Sequence, residues 1–145
     1  MAVVRMLPLL LLALLCSRSA LADTATFGDY TVHYIAVNST FLNPEVASQY
    51  GLQRGARRGF LNIAVLQDTG GASKPVTARI SGDKRNLMQQ STALTFQEIH
   101  EGDAIYYLAP FDFSNAETLR FTLDVQPTAS EGSQHIEWST QLYAD

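Results

Sequence analysis

Three histidines are the first candidates for chemistry, and their spacing argues against it. His33, His100 and His135 fall on three separate segments, with no H-x-H or H-E-x-x-H pair to preset a metal site. The single cysteine, Cys16, and two of the three methionines lie in the first 22 residues. Past them only Met88 carries sulfur, so neither a thiolate site nor a methionine-rich copper site is expected. The histidines are read as solvent-facing or hydrogen-bonded. Nucleophilic catalysis has no better footing, because the chain lacks the G-x-S-x-G elbow of the common α/β serine hydrolases and the helices that would carry it. Glu98, Glu101 and Asp103 crowd one turn, with Asp112 nearby in sequence. They match neither a glycosidase pair held about 5–10 Å apart across a cleft nor the alternating ligands of a calcium loop. They read as a solvated acidic turn that discourages edge pairing. No catalytic residue, metal ligand or cofactor site is assigned, and an enzyme is not expected.

The most distinctive local feature is LQRGARRG. It packs Arg54, Arg57 and Arg58 into five residues, with Gly55 and Gly59 keeping the loop pliable, in a chain whose formal charge is −4. Guanidinium groups suit bidentate contact with carboxylate or phosphate. One reading is a docking loop for an acidic partner or a lipid headgroup; the other is a solvated connection whose arginines pair with the protein's own acidic surface. Asn43 and Tyr50 adjoin this loop in sequence, so the candidate partner-binding set is Asn43, Tyr50, Arg54, Arg57 and Arg58. The acidic balance disfavours a general nucleic-acid role, which needs clustered positive charge.

These residues need a scaffold, and its organising stretch is TFQEIHEGDAIYYLAPFDF, residues 95–113. Two apolar-rich runs flank a Glu-Gly-Asp break, which predicts a hairpin turning near Gly102. In the second run Ala104, Tyr106 and Leu108 take one face and Ile105, Tyr107, Ala109 and Phe111 the other. A strand apolar on both faces belongs inside a sheet and under a covering layer. Residues 30–40 and GFLNIAVLQ read as further strands with two apolar faces. Val76, Ala78 and Ile80 alternate with polar residues, SGDKRN reads as a turn, and NLMQQSTALTF is open between a loop and a short strand. Leu119, Phe121, Leu123 and Val125 give the clearest period-two signal, ended by Pro127. Ile136, Trp138, Thr140 and Leu142 alternate in the last strand, where Trp138 is expected to be a core residue. Asn43 as N-cap, Pro44 at the first helical position and Gly51 past the end predict a single short helix over residues 44–50.

About seven or eight short strands with hairpin-like connections predict an all-β, antiparallel immunoglobulin-like β-sandwich with one short helix; a small β-barrel is the alternative. Ahead of it, Arg5, an apolar run over residues 7–15 and the small residues of Ala20-Leu21-Ala22 read as a cleavable secretory signal peptide over residues 1–22. A lipid anchor at Cys16 is the competing reading, disfavoured by Leu15 just before it. Residues 23–145 are then one exported, disulfide-free domain with no second run of membrane-span length.

The segments NSTFLNPEVASQYG, LNIAVL, EIHEGDAIYYLAPF and ETLRFTLDVQP, in that order, resemble a family of small exported proteins of Gram-negative bacteria known only as a domain of unknown function, DUF4426. The resemblance implies a periplasmic address and a single β-sandwich, and it brings no catalytic residues. The function expected is a non-enzymatic periplasmic binding module that contacts an envelope protein or another acidic partner. The alternative is a carrier of small molecules or lipids, with a cavity between the sheets lined by Tyr30, Tyr34, Tyr106 and Tyr107. Tyr106 and Tyr107 are neighbours on a strand and point to opposite faces, so core packing of these rings is the simpler expectation.

Overall fold

The computed structural model describes residues 22–145; apart from Ala22, the expected signal segment lies outside the described residues. Ten strands and one α-helix follow: β1 (Asp23–Phe27), β2 (Tyr30–Asn38), α1 (Pro44–Gln49), β3 (Arg58–Asp68), β4 (Ser73–Pro75), β5 (Ala78–Arg85), β6 (Ser91–Ala93), β7 (Gln97–Glu101), β8 (Ala104–Asp112), β9 (Glu117–Pro127) and β10 (Gln134–Leu142). They form two antiparallel sheets, with no closed barrel. The first has the order β1-β2-β3-β8-β7, with β4 paired to β3, and the second β10-β9-β5-β6.

The predicted hairpin is β7–β8, turning through Gly102 at φ 58°. The two predicted faces of β8 separate as the residue alternation requires. Tyr107, Ala109 and Phe111 join Val32, Ile63, Val65, Phe121, Leu123 and Val125 in the core between the sheets. Tyr106 and Leu108 join Val37, Leu42, Val46, Tyr50 and Phe60 in a second apolar layer on the outer face of the first sheet. That layer is held down by α1. Asn43 Oδ1 accepts from the Val46 amide at 2.9 Å, capping a helix started by Pro44. Gly51, at φ 68°, lets the chain leave it. Trp138 is half-buried, its ring 5.1 Å from Phe121 and 4.5 Å from Tyr34.

Two expectations need correction. Ser81–Arg85 is not a turn but the second half of β5, and the turn falls later, over residues 86–90. Here Gly82 faces inward with Leu123 packed where its side chain would be: an added Cβ would lie 2.9 Å from Leu123 Cδ2 and closer still to the Thr122 carbonyl. The strand is carried by pairing with β9 rather than by its own apolar groups. The second correction is the strand count, raised by β1 and by the three-residue strands β4 and β6.

Candidate functional site

The arginine loop is built on Ser39, whose buried hydroxyl donates to the Gly55 carbonyl at 3.1 Å and accepts from the Gly55 amide at 3.0 Å. From this anchor, Arg54 reaches the Thr40 carbonyl at 3.4 Å. Arg58 donates to the Gln53 side chain and lies 3.8 Å from the Asp112 carboxylate. Arg57 is exposed and makes no ion pair among the described residues. Two of the three guanidinium groups are thus directed at the protein's own surface. Asn43 is occupied in capping α1, and Tyr50 is only 3% exposed, its hydroxyl donating to Glu101 at 2.5 Å. Burial and that carboxylate hold the Tyr50 phenol well above its ordinary pKa.

The acidic turn is more engaged than its composition suggests. Glu98 accepts from the Tyr107 hydroxyl at 2.6 Å and lies 2.9 Å from His100, and these partners hold its carboxyl below the usual range. Tyr107 accepts in turn from the Ala78 amide at 2.8 Å. Burial first, then the bond to Glu98, pushes this phenol up to about 12. These bonds tie the first sheet to the start of β5; no reacting atom is set free by them. His135 is bracketed by Asp124 at 2.9 Å and Glu137 at 3.0 Å on the exposed face of the second sheet, which raises its pKa. Among the described residues no group of three or more His, Cys, Asp or Glu side chains is placed to hold a metal ion.

An open depression of about 320 Å³ lies beside the arginine loop, lined by Gln53, Arg58 and Asp112 among others, and a more apolar one lies where the first sheet forks. β3 pairs with β8 only over residues 58–63, then leaves it to pair with β4 over residues 66–68. The first residues of β8 therefore diverge from the second half of β3. In the gap lies an open, mostly apolar pocket of about 250 Å³ whose walls include Ile35, Ala64, Leu66, Pro75, Ala104 and Ile105. His33, Asn62 and Tyr106 are the polar residues of its lining beside Tyr34, whose ring packs against Trp138. Asn62, 3% exposed, is a polar residue in mid-sheet, opposite Ile35 on β2 and Leu108 on β8. Of the four tyrosines considered for a ligand cavity, Tyr106 belongs to the outer layer at this pocket, while Tyr30, Tyr107 and the ring of Tyr34, beside Trp138, pack with the core between the sheets. This place was not anticipated from the sequence; the one local signal for it is Asn62, a polar interruption in LNIAVL, a strand otherwise apolar on both faces.

The family model described as "Domain of unknown function (DUF4426)" matches residues 24–145. The chain belongs to the DUF4426 family. A solved DUF4426 family protein from Pseudomonas aeruginosa PAO1 is 36% identical, with a TM-score of 0.74 over 86% of this chain and 96% of that one. Two structures of FetP from uropathogenic Escherichia coli strain F11 share the fold at much lower identity. One, recombinantly expressed in the periplasm, is 12% identical with a TM-score of 0.62, covering 86% of this chain and 95% of that one. The other, a copper-bound variant carrying one substitution, is 11% identical with a TM-score of 0.59, covering 86% and 97%. No curated protein matches the chain. The DUF4426 match thus agrees with the resemblance read from the four sequence segments and spans the whole sandwich, fork included.

Proposed function

We propose that this DUF4426 protein is an exported, non-catalytic binding module of the bacterial envelope, and that the fork pocket is its recognition site. The observation that carries the reading is the fork itself. A sheet that parts between β3 and β8 leaves a depression with apolar walls and a few polar groups, the usual composition of a site that holds one small apolar group and orients it. An aromatic side chain of an envelope protein fits these walls, as does a free aromatic molecule of that size. Export rests on the N-terminal sequence pattern, and the periplasmic expression of FetP is consistent with that address.

Copper, which one FetP variant holds, is not carried over. That likeness speaks for the fold alone, and the three histidines here sit on separate strands, two of them engaged by carboxylates. The arginine loop remains the second place for a partner, through Arg57, the guanidinium not directed at the protein's own surface.

Indole stands in for both occupants of the pocket in the deciding experiment. Titrating it into ¹⁵N-labelled protein is expected to shift the amides of His33, Asn62, Ala64 and Ala104 and to leave β9 and β10 unmoved. Ala64→Phe, which fills the depression from its floor, should remove the shifts while preserving the dispersion of a folded spectrum. Shifts spread over both sheets, or shifts unchanged in the Phe variant, would reject the pocket as the recognition site.

A further inference from the structure

The second sheet carries an exposed feature with no part in the fork pocket. At its end the turn of residues 86–90 presents Leu87 and Met88, each 78% exposed. This turn is held in shape. The Asn86 side chain accepts from the amides of Met88 at 2.9 Å and Gln90 at 3.0 Å, and donates to Gln90 Oε1 at 2.7 Å. Backbone bonds from the Gln89 amide to Asn86 and from the Asn86 amide to Gln90 close it, with Gln89 in the left-handed region at φ 64°. Two apolar side chains are thus displayed outward by a preordered loop.

Directly behind them, Arg85 on β5 and Arg120 on β9 are opposite partners in the ladder, both exposed. The row continues with Ser91 on one side and Ser139 on the other. Like charges placed directly across a ladder, about 5 Å apart at Cβ, repel. Neither guanidinium makes an ion pair among the described residues. The neighbouring carboxylates have other partners: Asp83 accepts from Ser91 Oγ at 2.9 Å through Oδ2, its Oδ1 being buried without a hydrogen bond, Glu137 lies 3.0 Å from His135, Glu117 accepts from the Ser114 amide at 3.1 Å, and Asp112 faces Arg58 at 3.8 Å. An acidic protein keeps two uncompensated cations side by side at the base of an apolar tip.

We propose that this end of the second sheet docks on an anionic phospholipid surface, with Arg85 and Arg120 at the phosphates and Leu87 and Met88 in the boundary of the acyl chains. The spacing suits it. Leu87 lies two residues beyond Arg85, in the turn that follows β5, and apolar groups of interfacial segments bury about 5–10 Å deep. Charge complementarity selects an anionic surface, and the aliphatic tip selects a bilayer over a soluble polyanion. Each basic residue at such a surface contributes about fivefold in partition. Binding by two cations and two small apolar groups is therefore weak and reversible, and is read at millimolar lipid.

The test is co-sedimentation of the protein at low ionic strength with vesicles of equal parts phosphatidylglycerol and phosphatidylcholine, against pure phosphatidylcholine. Partition is expected only with the anionic vesicles, and it should weaken as salt is added. Arg85→Gln with Arg120→Gln should lower it by about 30-fold, and Leu87→Ser with Met88→Ser by about tenfold. Both double variants change exposed side chains, and circular dichroism checks that each is folded. Absence of partition, equal partition to pure phosphatidylcholine, or partition unchanged in either variant would overturn the proposal. Loss with the arginine pair alone would likewise overturn it, and would reassign the surface to a soluble anion or an acidic protein.

Discussion

β3 and β9 are both 11-residue strands in the interior of their sheets, yet they bury differently. β9 alternates: Leu119, Phe121, Leu123 and Val125 are buried, while Arg120 and Asp124 between them are exposed. β3 is buried without alternation from Gly59 to Ile63, because α1 and its flanking residues cover the outer face of the first sheet. One sheet is thus a wall with a single apolar side and the other a middle layer with two. Only the middle layer can hold a pocket on its outer side, since only there does a gap in pairing open onto apolar walls rather than onto water. The bare wall is left to display charge.

The comparison breaks most sharply at Phe121, which belongs to the core shared by both sheets and contacts Phe111 and Trp138 at ring distances of 5.1 Å. Phe121→Ala should cost about 3–5 kcal/mol, read as a lower urea midpoint with every amide losing protection together. Leu42, fully buried under the covering layer, is a more local test. Leu42→Ala is expected to cost about 2–3 kcal/mol. Hydrogen exchange should speed first in α1 and on β7 and β8, with β9 and β10 least affected. Equal loss everywhere would mean that the outer layer and the inner core are one cooperative unit.

Two smaller effects concern the charged partners of each sheet. On the first sheet, Glu98 has its pKa depressed by Tyr107 and then by His100. Its contribution is present above the ordinary carboxylate value and lost as pH falls through the folded one. Glu98→Gln should therefore lower stability at neutral pH by less than about 1 kcal/mol, since the group is partly exposed, and should flatten the acid limb of the stability profile. On the second sheet, His135 has its pKa raised by Glu137 and Asp124, so its contribution is complete below about 6.5 and lost as pH rises through the folded value. An NMR titration should show this pKa falling toward the ordinary value in Glu137→Gln, with no measurable change in the midpoint of unfolding.

Much of this architecture was legible along the chain because it is local. The alternation of β9, the two-faced pattern of β8, the Gly102 turn and the Asn43-Pro44 start of α1 are each decided within a few residues. What escaped was decided across the chain. Ser81–Arg85 looked like a turn because its inward positions are Gly82 and Lys84, and only β9 reveals why a glycine is needed there. DTATF gave too short a pattern to announce β1. The fork pocket was invisible because it depends on where β3 stops pairing with β8, a register that neither strand states alone. The arginine cluster was legible as composition, but its partners Thr40, Gln53 and Asp112 are set by the fold, and two of its three side chains turn toward them.

The ladders that close each sheet also decide how the chain must assemble. β1–β2, β5–β6, β7–β8 and β9–β10 join neighbours in sequence, but β3–β8 and β5–β9 join partners separated by whole hairpins. Domains dominated by such distant pairings fold on the order of milliseconds to seconds, because loop closure must be completed before any contact rewards it. Contact order therefore predicts that the local hairpins form before the two long-range ladders. Under the export proposed above, a sandwich that closes slowly would favour passage of the chain across the membrane before the fold is complete.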